Sequence, residues 1–269
     1  MTVHILQSHN PNAVTPWIQA CLQSVRNWAA DQGYDYQFIG DELLAALPDD
    51  LKRKTASQPV VSSDLGRLIW LQQRLDEGAE TAVWLDADTW IFNPAEFHLP
   101  AANAAVGREC WIQADGRRWR CYRKVHNAAL MFRTGNSLLP FYRETAERLL
   151  RAHAGTRVVP QLIGPKLLTA LHSACQLPVW ERAGVFSPAV IADLMRGGGA
   201  ALQLLLKRGA PPAAANLCQS SVARGELQAD TLSRLIQDAP AVRQCLSQAA
   251  ARTADTGFTD KRARTQDPA

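Results

Sequence analysis

Apolar runs and helical spacings alternate along the first two thirds of this 269-residue chain. Residues 3–7 read as a strand, and His9-Asn10-Pro11-Asn12 as the loop after it. Thr15 and Pro16 open a helix, with a hydroxyl placed to cap and a proline in the first turn. Ile18, Leu22, Val25 and Ala29 give that helix one apolar face, and Gly33 ends it. Residues 34–38 alternate like a second strand. Strand, helix, strand in this order marks a sheet with crossover helices. The expected fold class is therefore α/β, a mostly parallel sheet flanked by helices.

Residues 49–57 are polar and basic, which predicts a loop or a short helix. Ser62-Ser63-Asp64 offers a cap for a helix carrying Leu65, Leu68, Ile69, Gln72 and Leu75, closed by Gly78. Residues 82–85 form a short apolar run without helical spacing, which predicts a buried strand. Residues 125–133 read the same way. Ser137 and Pro140 begin a helix through Phe141, Thr145 and Leu149 to Gly155, and Pro165 starts another with Leu168, Leu171 and His172. From Pro188 onward Ala, Leu, Gln and Arg dominate, with Gly197-Gly198-Gly199 as a break. This divides the chain into a sheet domain (1–190), a helical extension (191–250) and a tail (251–269). The tail is charged and lacks aliphatic periodicity, which predicts disorder. No internal repeat is visible.

Composition changes this picture little. A hydrophobic fraction of 47% can build a sizeable core, and the net charge is only +4. The pI near 8.8 suits a small anionic ligand or an anionic membrane surface, and is too mild to argue for nucleic acid. The first residues carry no signal peptide, and no stretch approaches the length of a membrane span. Six scattered cysteines without a CxxC pair read as free thiols in a reducing cytosol, with a Cys110–Cys121 bridge as the alternative. The expected location is cytoplasmic, with room for attachment to the inner face of the membrane.

The candidate chemistry lies in Trp84-Leu85-Asp86-Ala87-Asp88. In open α/β sheets ligands bind at the carboxyl ends of strands, and these two carboxylates follow one. In an extended segment, residues i and i+2 point the same way. Asp86 and Asp88 could then hold one hard cation and leave its other positions open, and carboxylate oxygens suit Mg²⁺ or Mn²⁺ bridging to substrate phosphates. A solvated turn is the plainer reading of such a motif. The apolar setting weighs against it, because ionised carboxylates there need a cation or a base.

Ser63-Asp64-Leu65-Gly66-Arg67, followed by Leu85-Asp86-Ala87-Asp88, resembles the GT-A glycosyltransferases of the family-32-like group and their relatives among the large clostridial glucosylating toxins. His126-Asn127-Ala128-Ala129-Leu130-Met131 looks like that group's Asn-containing strand, and Gly164-Pro165-Lys166-Leu167-Leu168-Thr169 like its G-P-x-x-x-T helix start. The likeness spans roughly residues 1–190. It implies a GT-A, Rossmann-like fold and a hexosyltransferase that uses Mn²⁺ or Mg²⁺. The enzyme would move a sugar from a nucleotide sugar, a UDP-sugar first, to a saccharide or lipid-linked acceptor, with retention, in surface polysaccharide or glycan synthesis.

The resemblance also implies roles. Asp86 and Asp88 would hold the metal, with His172 a third ligand or an acid/base group if it is not simply packed. Asp64, Arg67 and Asn127 would meet the donor sugar as catalytic residues. Gln7, Ser8, Ser63, Asp86, Gly164 and Pro165 would complete the donor site. From the residues alone, Asp64 and Arg67 could equally be an ion pair on one helix face, and Gly164-Pro165 an ordinary helix start.

Arg117-Arg118-Trp119-Arg120-Cys121-Tyr122-Arg123-Lys124 is dense in cations and aromatics. Its rings could stack on sugars while its arginines meet phosphates, which suits a lipid-diphosphate acceptor or an anionic leaflet. Arg118, Trp119 and Arg120 are the acceptor candidates, and a solvated hairpin is the alternative. Two other functions compete. A haloacid-dehalogenase-like phosphohydrolase also places Asp-x-Asp after an apolar strand, with the first Asp as nucleophile, but Trp90 stands where that family has Thr or Val. A non-catalytic nucleotide-sugar-binding protein is the third reading. The sequence leaves the oligomeric state open.

Overall fold

A computed structural model describes residues 2–155 and 157–255. The strands are β1 (Val3–Ser8), β2 (Asp35–Ile39), β3 (Thr81–Leu85), β4 (Thr89–Ile91), β5 (Ala104–Asp115), β6 (Arg118–Arg133), β7 (Val179–Trp180), β8 (Ala183–Val185) and β9 (Ala214–Asn216). The helices are α1 (Pro16–Asp31), α2 (Glu42–Ala45), α3 (Asp49–Thr55), α4 (Pro59–Asp76), α5 (Leu138–Ala152), α6 (Leu167–Cys175), α7 (Pro188–Met195), α8 (Ala200–Arg208), α9 (Gln219–Ala223), α10 (Ala229–Gln237) and α11 (Ala239–Asp255).

Six strands form one sheet in the order β2-β1-β3-β6-β5-β7. All but β6 run the same way, since β6 is antiparallel to both of its neighbours. The expected α/β class and mostly parallel sheet are what the structure has. β1 and β3 are near-continuous apolar runs because helices cover both faces. Ile18, Leu22, Val25 and Ala29 of α1 are buried, as their spacing predicts, and Gly33 ends that helix at φ 68°.

Three local expectations shift. The helix expected to start at Ser62 begins at Pro59, because Ser62 Oγ bonds back to Thr55 O (3.1 Å) and Oγ1 (2.8 Å) instead of capping. Asp64 and Arg67 therefore stand inside α4, not at its end. Helix α5 buries Leu139, Tyr142, Ala146 and Leu150, one position on from the face expected, and leaves Phe141 53% exposed. The strand expected over 125–133 starts earlier, at Arg118, and pairs with a strand, β5, that polar positions had hidden.

The 191–250 segment is not purely helical. β9 pairs with β4, the strand just after Asp88, and β8 completes a second, three-stranded sheet. One apolar cluster joins Trp17, Ile18 and Trp90 to Phe186, Leu202 and Leu232, so residues 1–190 and 191–250 share a core. The Gly197-Gly198-Gly199 break has a function in packing. It lets Asp193 cap α8 by accepting from Leu202 N at 3.0 Å, and a Cβ at Gly199 would strike that carboxylate. Helix α11 runs to Asp255, so residues 251–255 are helical, and the expected disorder of 256–269 lies outside the described residues. All six cysteines are free thiols. No single described helix is long and apolar enough to cross a membrane.

Candidate functional site

Beyond β3 the chain turns sharply. Asp86 N donates to Ala128 O (2.8 Å), and Thr89 N donates to Asp86 O (2.9 Å), so Asp86-Ala87-Asp88 is a tight turn and not the extended segment expected. Gln7, fully buried on β1, holds the turn by donating from Nε2 to Asp86 O at 3.1 Å. Both carboxylates still face one cavity of about 400 Å³ at this edge of the sheet. Ser8, His9 and Asn10 wall it at the end of β1, Gly40, Asp41, Leu43 and Leu44 after β2, Pro59, Ser63 and Arg67 from α4, and Gln219 from the C-terminal third.

Arg67 is the hub. Its Nη1 donates to Asn127 O (2.7 Å) and stands 3.1 Å from Asp86 Oδ1, while Nη2 stands 3.2 Å from Asp64 Oδ1. Nε reaches Ser63 O at 3.4 Å, and the guanidinium lies 5.4 Å from the Trp84 ring centre. Asp86 Oδ1 also accepts from Trp84 Nε1 at 2.7 Å, and no described residue donates to Oδ2.

Asp64 is 4% exposed and does not line the cavity. Asn127 Nδ2 donates to its Oδ1 at 2.8 Å, and its buried Oδ2 has no protein partner. Burial pushes its carboxyl up to about 6, against Arg67, with Asp86 adding to the rise. Gly164 packs onto it closely enough that a Cβ would collide with Asp64 Oδ2 and Asn127 Nδ2. The Gly164-Pro165 pair is thus no free helix start. It lies in a wide turn, with Gly164 at φ −90°, ψ −112°, and α6 begins only at Leu167. Asn127, Gly164 and Pro165 stand away from the cavity lining, as does Gln7.

Asp88 is 9% exposed and held from the far end of the chain. Asn216 Nδ2 donates to Oδ1 at 2.5 Å, and Gln219 N donates to Oδ2 at 2.8 Å. Burial and the neighbouring Asp86 charge push Asp88 up to about 6. His126 is neutral and structural. Its Nδ1 accepts from Ala128 N and its Nε2 meets Ala183 O, each at 3.1 Å, and burial pulls its pKa down to about 4.

A divalent cation fits this pair in one way only. No third His, Cys, Asp or Glu joins Asp86 and Asp88 among the described residues, and His172, on α6, does not line the cavity. Two carboxylates alone are not an all-protein cage. They suit a cation held by one or two carboxylates whose other positions go to water and substrate phosphates. The mutual repulsion that raises Asp88 is what such a cation would relieve.

Arg118, Trp119 and Arg120 sit on β6 and are not among the residues lining the cavity. Trp84, Asn216 and Gln219 were not visible as site residues. Trp84 reads as one more apolar position of β3, and nothing around Asn216 and Gln219 marks them before β9 meets β4.

No protein-family model matches the chain, and no curated protein does. Among solved structures it is similar to the crystal structure of a glycosyltransferase involved in the glycosylation of the major capsid of PBCV-1. Identity is 12% over 87% of this chain and 99% of that one, at a TM-score of 0.48. A superposition that loose carries no argument about chemistry. The geometry above has to carry it.

Proposed function

We propose that the chain is a divalent-cation-dependent glycosyltransferase. It would move a sugar from a nucleoside-diphosphate donor, a UDP-sugar first, to a saccharide or lipid-linked acceptor in surface polysaccharide or glycan synthesis. The observation that carries the reading is the convergence of Asp86, Asp88 and Arg67 on one strand-end cavity. Two acids and a guanidinium together suit a ligand that brings both a metal ion and phosphate oxygens. The cavity volume lies in the small-molecule range.

Asp88 and Asp86 would hold Mn²⁺ or Mg²⁺, which supplies Lewis-acid stabilisation of the departing diphosphate. Arg67, which lines the same cavity, would face that negative charge. Its ion pairs with Asp86 and Asp64 and its bond to Asn127 O hold the guanidinium in place, so it need not reorganise as the bond breaks. Asp64 and Asn127 act through Arg67 and orient it. Ser8, His9 and Asn10 line the wall where the nucleoside would lie, and Gln7 sets the Asp86 turn. Retention of configuration belongs to the same proposal and is supported by the sequence resemblance alone.

The test is UDP release from a panel of UDP-sugars with Mn²⁺, with Asp88→Ala as control. Turnover that needs Mn²⁺ and disappears in the variant supports the reading. Stabilisation by nucleotide sugars without turnover would leave a binding protein. A phosphohydrolase would instead show an acyl-phosphate on Asp86.

A further inference from the structure

β5 and β6 outrun the sheet. β3 ends at Leu85, level with Ala129 of β6. Past a register shift at Val106/Gly107, where Gly107 still pairs with Trp180 of β7, the two strands continue together from the Gly107–His126 pair to Asp115–Arg118. β5 runs in the same direction as β3, so this arm rises from the sheet edge that carries Asp86. Eight steps at about 3.3 Å each make the arm roughly 25 Å long.

One face of the arm is spoken for. Cys110 and Ile112 join the core formed by α7 and α8. The tip and the return strand are exposed. Residues 117–124 hold five cations and no acid. Asp115 meets Arg120 at 2.6 Å and Glu181 meets Arg123 at 3.4 Å, while Arg117 and Arg118 have no ion-pair partner among the described residues. Trp119 and Tyr122 are 41% and 38% exposed, and, three residues apart on β6, they point to opposite faces of the arm, Trp119 beside the tip.

We propose that this arm docks the protein on an anionic lipid surface. Arg117 and Arg118 enter the phosphate headgroups, and the ring of Trp119, next to them at the tip, rests at the depth where amphipathic aromatics settle. The sheet edge with the cavity then faces the bilayer. That consequence rests on the glycosyltransferase reading and names its acceptor as one presented at a membrane. The docking itself does not rest on it. Nucleic acid fits less well, because the cations are confined to one narrow arm on a chain whose net charge is only +4.

The experiment is co-sedimentation of the full chain with two vesicle preparations. One is pure phosphatidylcholine, and the other has about one third phosphatidylglycerol. The expected result is binding to the anionic vesicles only, with release at about 0.5 M salt. An Arg117→Glu/Arg118→Glu variant should lose at least tenfold in partition, and Trp119→Ser severalfold, with unchanged thermal unfolding because all three positions are exposed. Equal binding to both vesicles, no binding to either, a double reversal that binds like the parent, or preference for a single-stranded oligonucleotide would overturn the proposal. Vesicle binding is read without a sugar donor. A protein that binds vesicles but turns over no nucleotide sugar keeps the docking and removes the glycosyltransferase reading, and the opposite pattern does the reverse.

Discussion

Arg67 ties Asp86 to Asp64. Its two terminal nitrogens stand 3.1 Å from one carboxylate and 3.2 Å from the other, and Asp64 is nearly sealed from solvent. This makes one guanidinium both the counter-charge of a buried acid and a wall of the cavity. A lysine keeps the charge but cannot span the same partners. Arg67→Lys should lower kcat/KM for the nucleotide sugar by roughly a hundredfold or more. Arg67→Ala should also destabilise the fold by about 3–5 kcal/mol, because it strands a buried carboxylate. Steady-state kinetics and urea unfolding check both. A lysine variant with parental turnover would reduce Arg67 to a simple charge.

Gly164 is the second fixed point of that arrangement. A methyl group there would meet Asp64 Oδ2 and Asn127 Nδ2. Gly164→Ala should cost about 1–3 kcal/mol in urea unfolding, typical of forced overpacking, and turnover should fall because Asp64 is pushed off Arg67. Full stability in this variant would show that the turn over Asp64 yields freely.

The sequence places the Asp pair at the right strand end but not in the right shape. Alternation and helix spacing identify β1, α1 and β3 because each buries a simple pattern. They miss β5, whose arm mixes an apolar inner face with charged outer positions and whose pairing with β6 is not local. The family resemblance sets Asp64 and Asn127 on a donor sugar; in the fold Asn127 Nδ2 donates to Asp64 Oδ1, Arg67 pairs with that same oxygen, and Asp64 Oδ2 stays buried without a protein partner. That could not be read from spacing, because Gly164, which closes the space around Asp64, is a hundred residues away in the chain. Asn216 and Gln219 are further still from Asp88, and only the β4–β9 pairing brings them there.

Asn216 therefore offers a way to loosen Asp88 without touching Asp86. Asn216→Ala removes the donor to Asp88 Oδ1 and also the acceptor of Cys218 N (2.9 Å), which steadies the turn before Gln219. We expect a loss of about 1–2 kcal/mol in stability and a rise of about tenfold in the Mn²⁺ concentration needed for half-maximal turnover. An unchanged Mn²⁺ requirement would detach Asn216 from the cation.

Acid should act through His126. Its pKa in the fold, about 4, lies below the ordinary value near 6.5. A ring held neutral contributes fully above pH 6.5, and that contribution is lost as pH falls through about 4, roughly 3 kcal/mol in all. Asp64 and Asp88, both raised to about 6, work the other way and add stability as pH falls from about 6 to about 4. His126→Gln should consequently gain stability relative to the parent across pH 6.5 to 4, whatever its offset at neutral pH. Imidazole NMR checks the cause directly, and a ring titrating near 6.5 would refute it.

The central claim is tested most directly by calorimetric titration of UDP into the protein with and without Mn²⁺, repeated on Asp88→Asn. Binding should strengthen at least tenfold with Mn²⁺ and lose that gain in the variant. Binding that ignores both Mn²⁺ and the substitution, or no binding under any of these conditions, would contradict it.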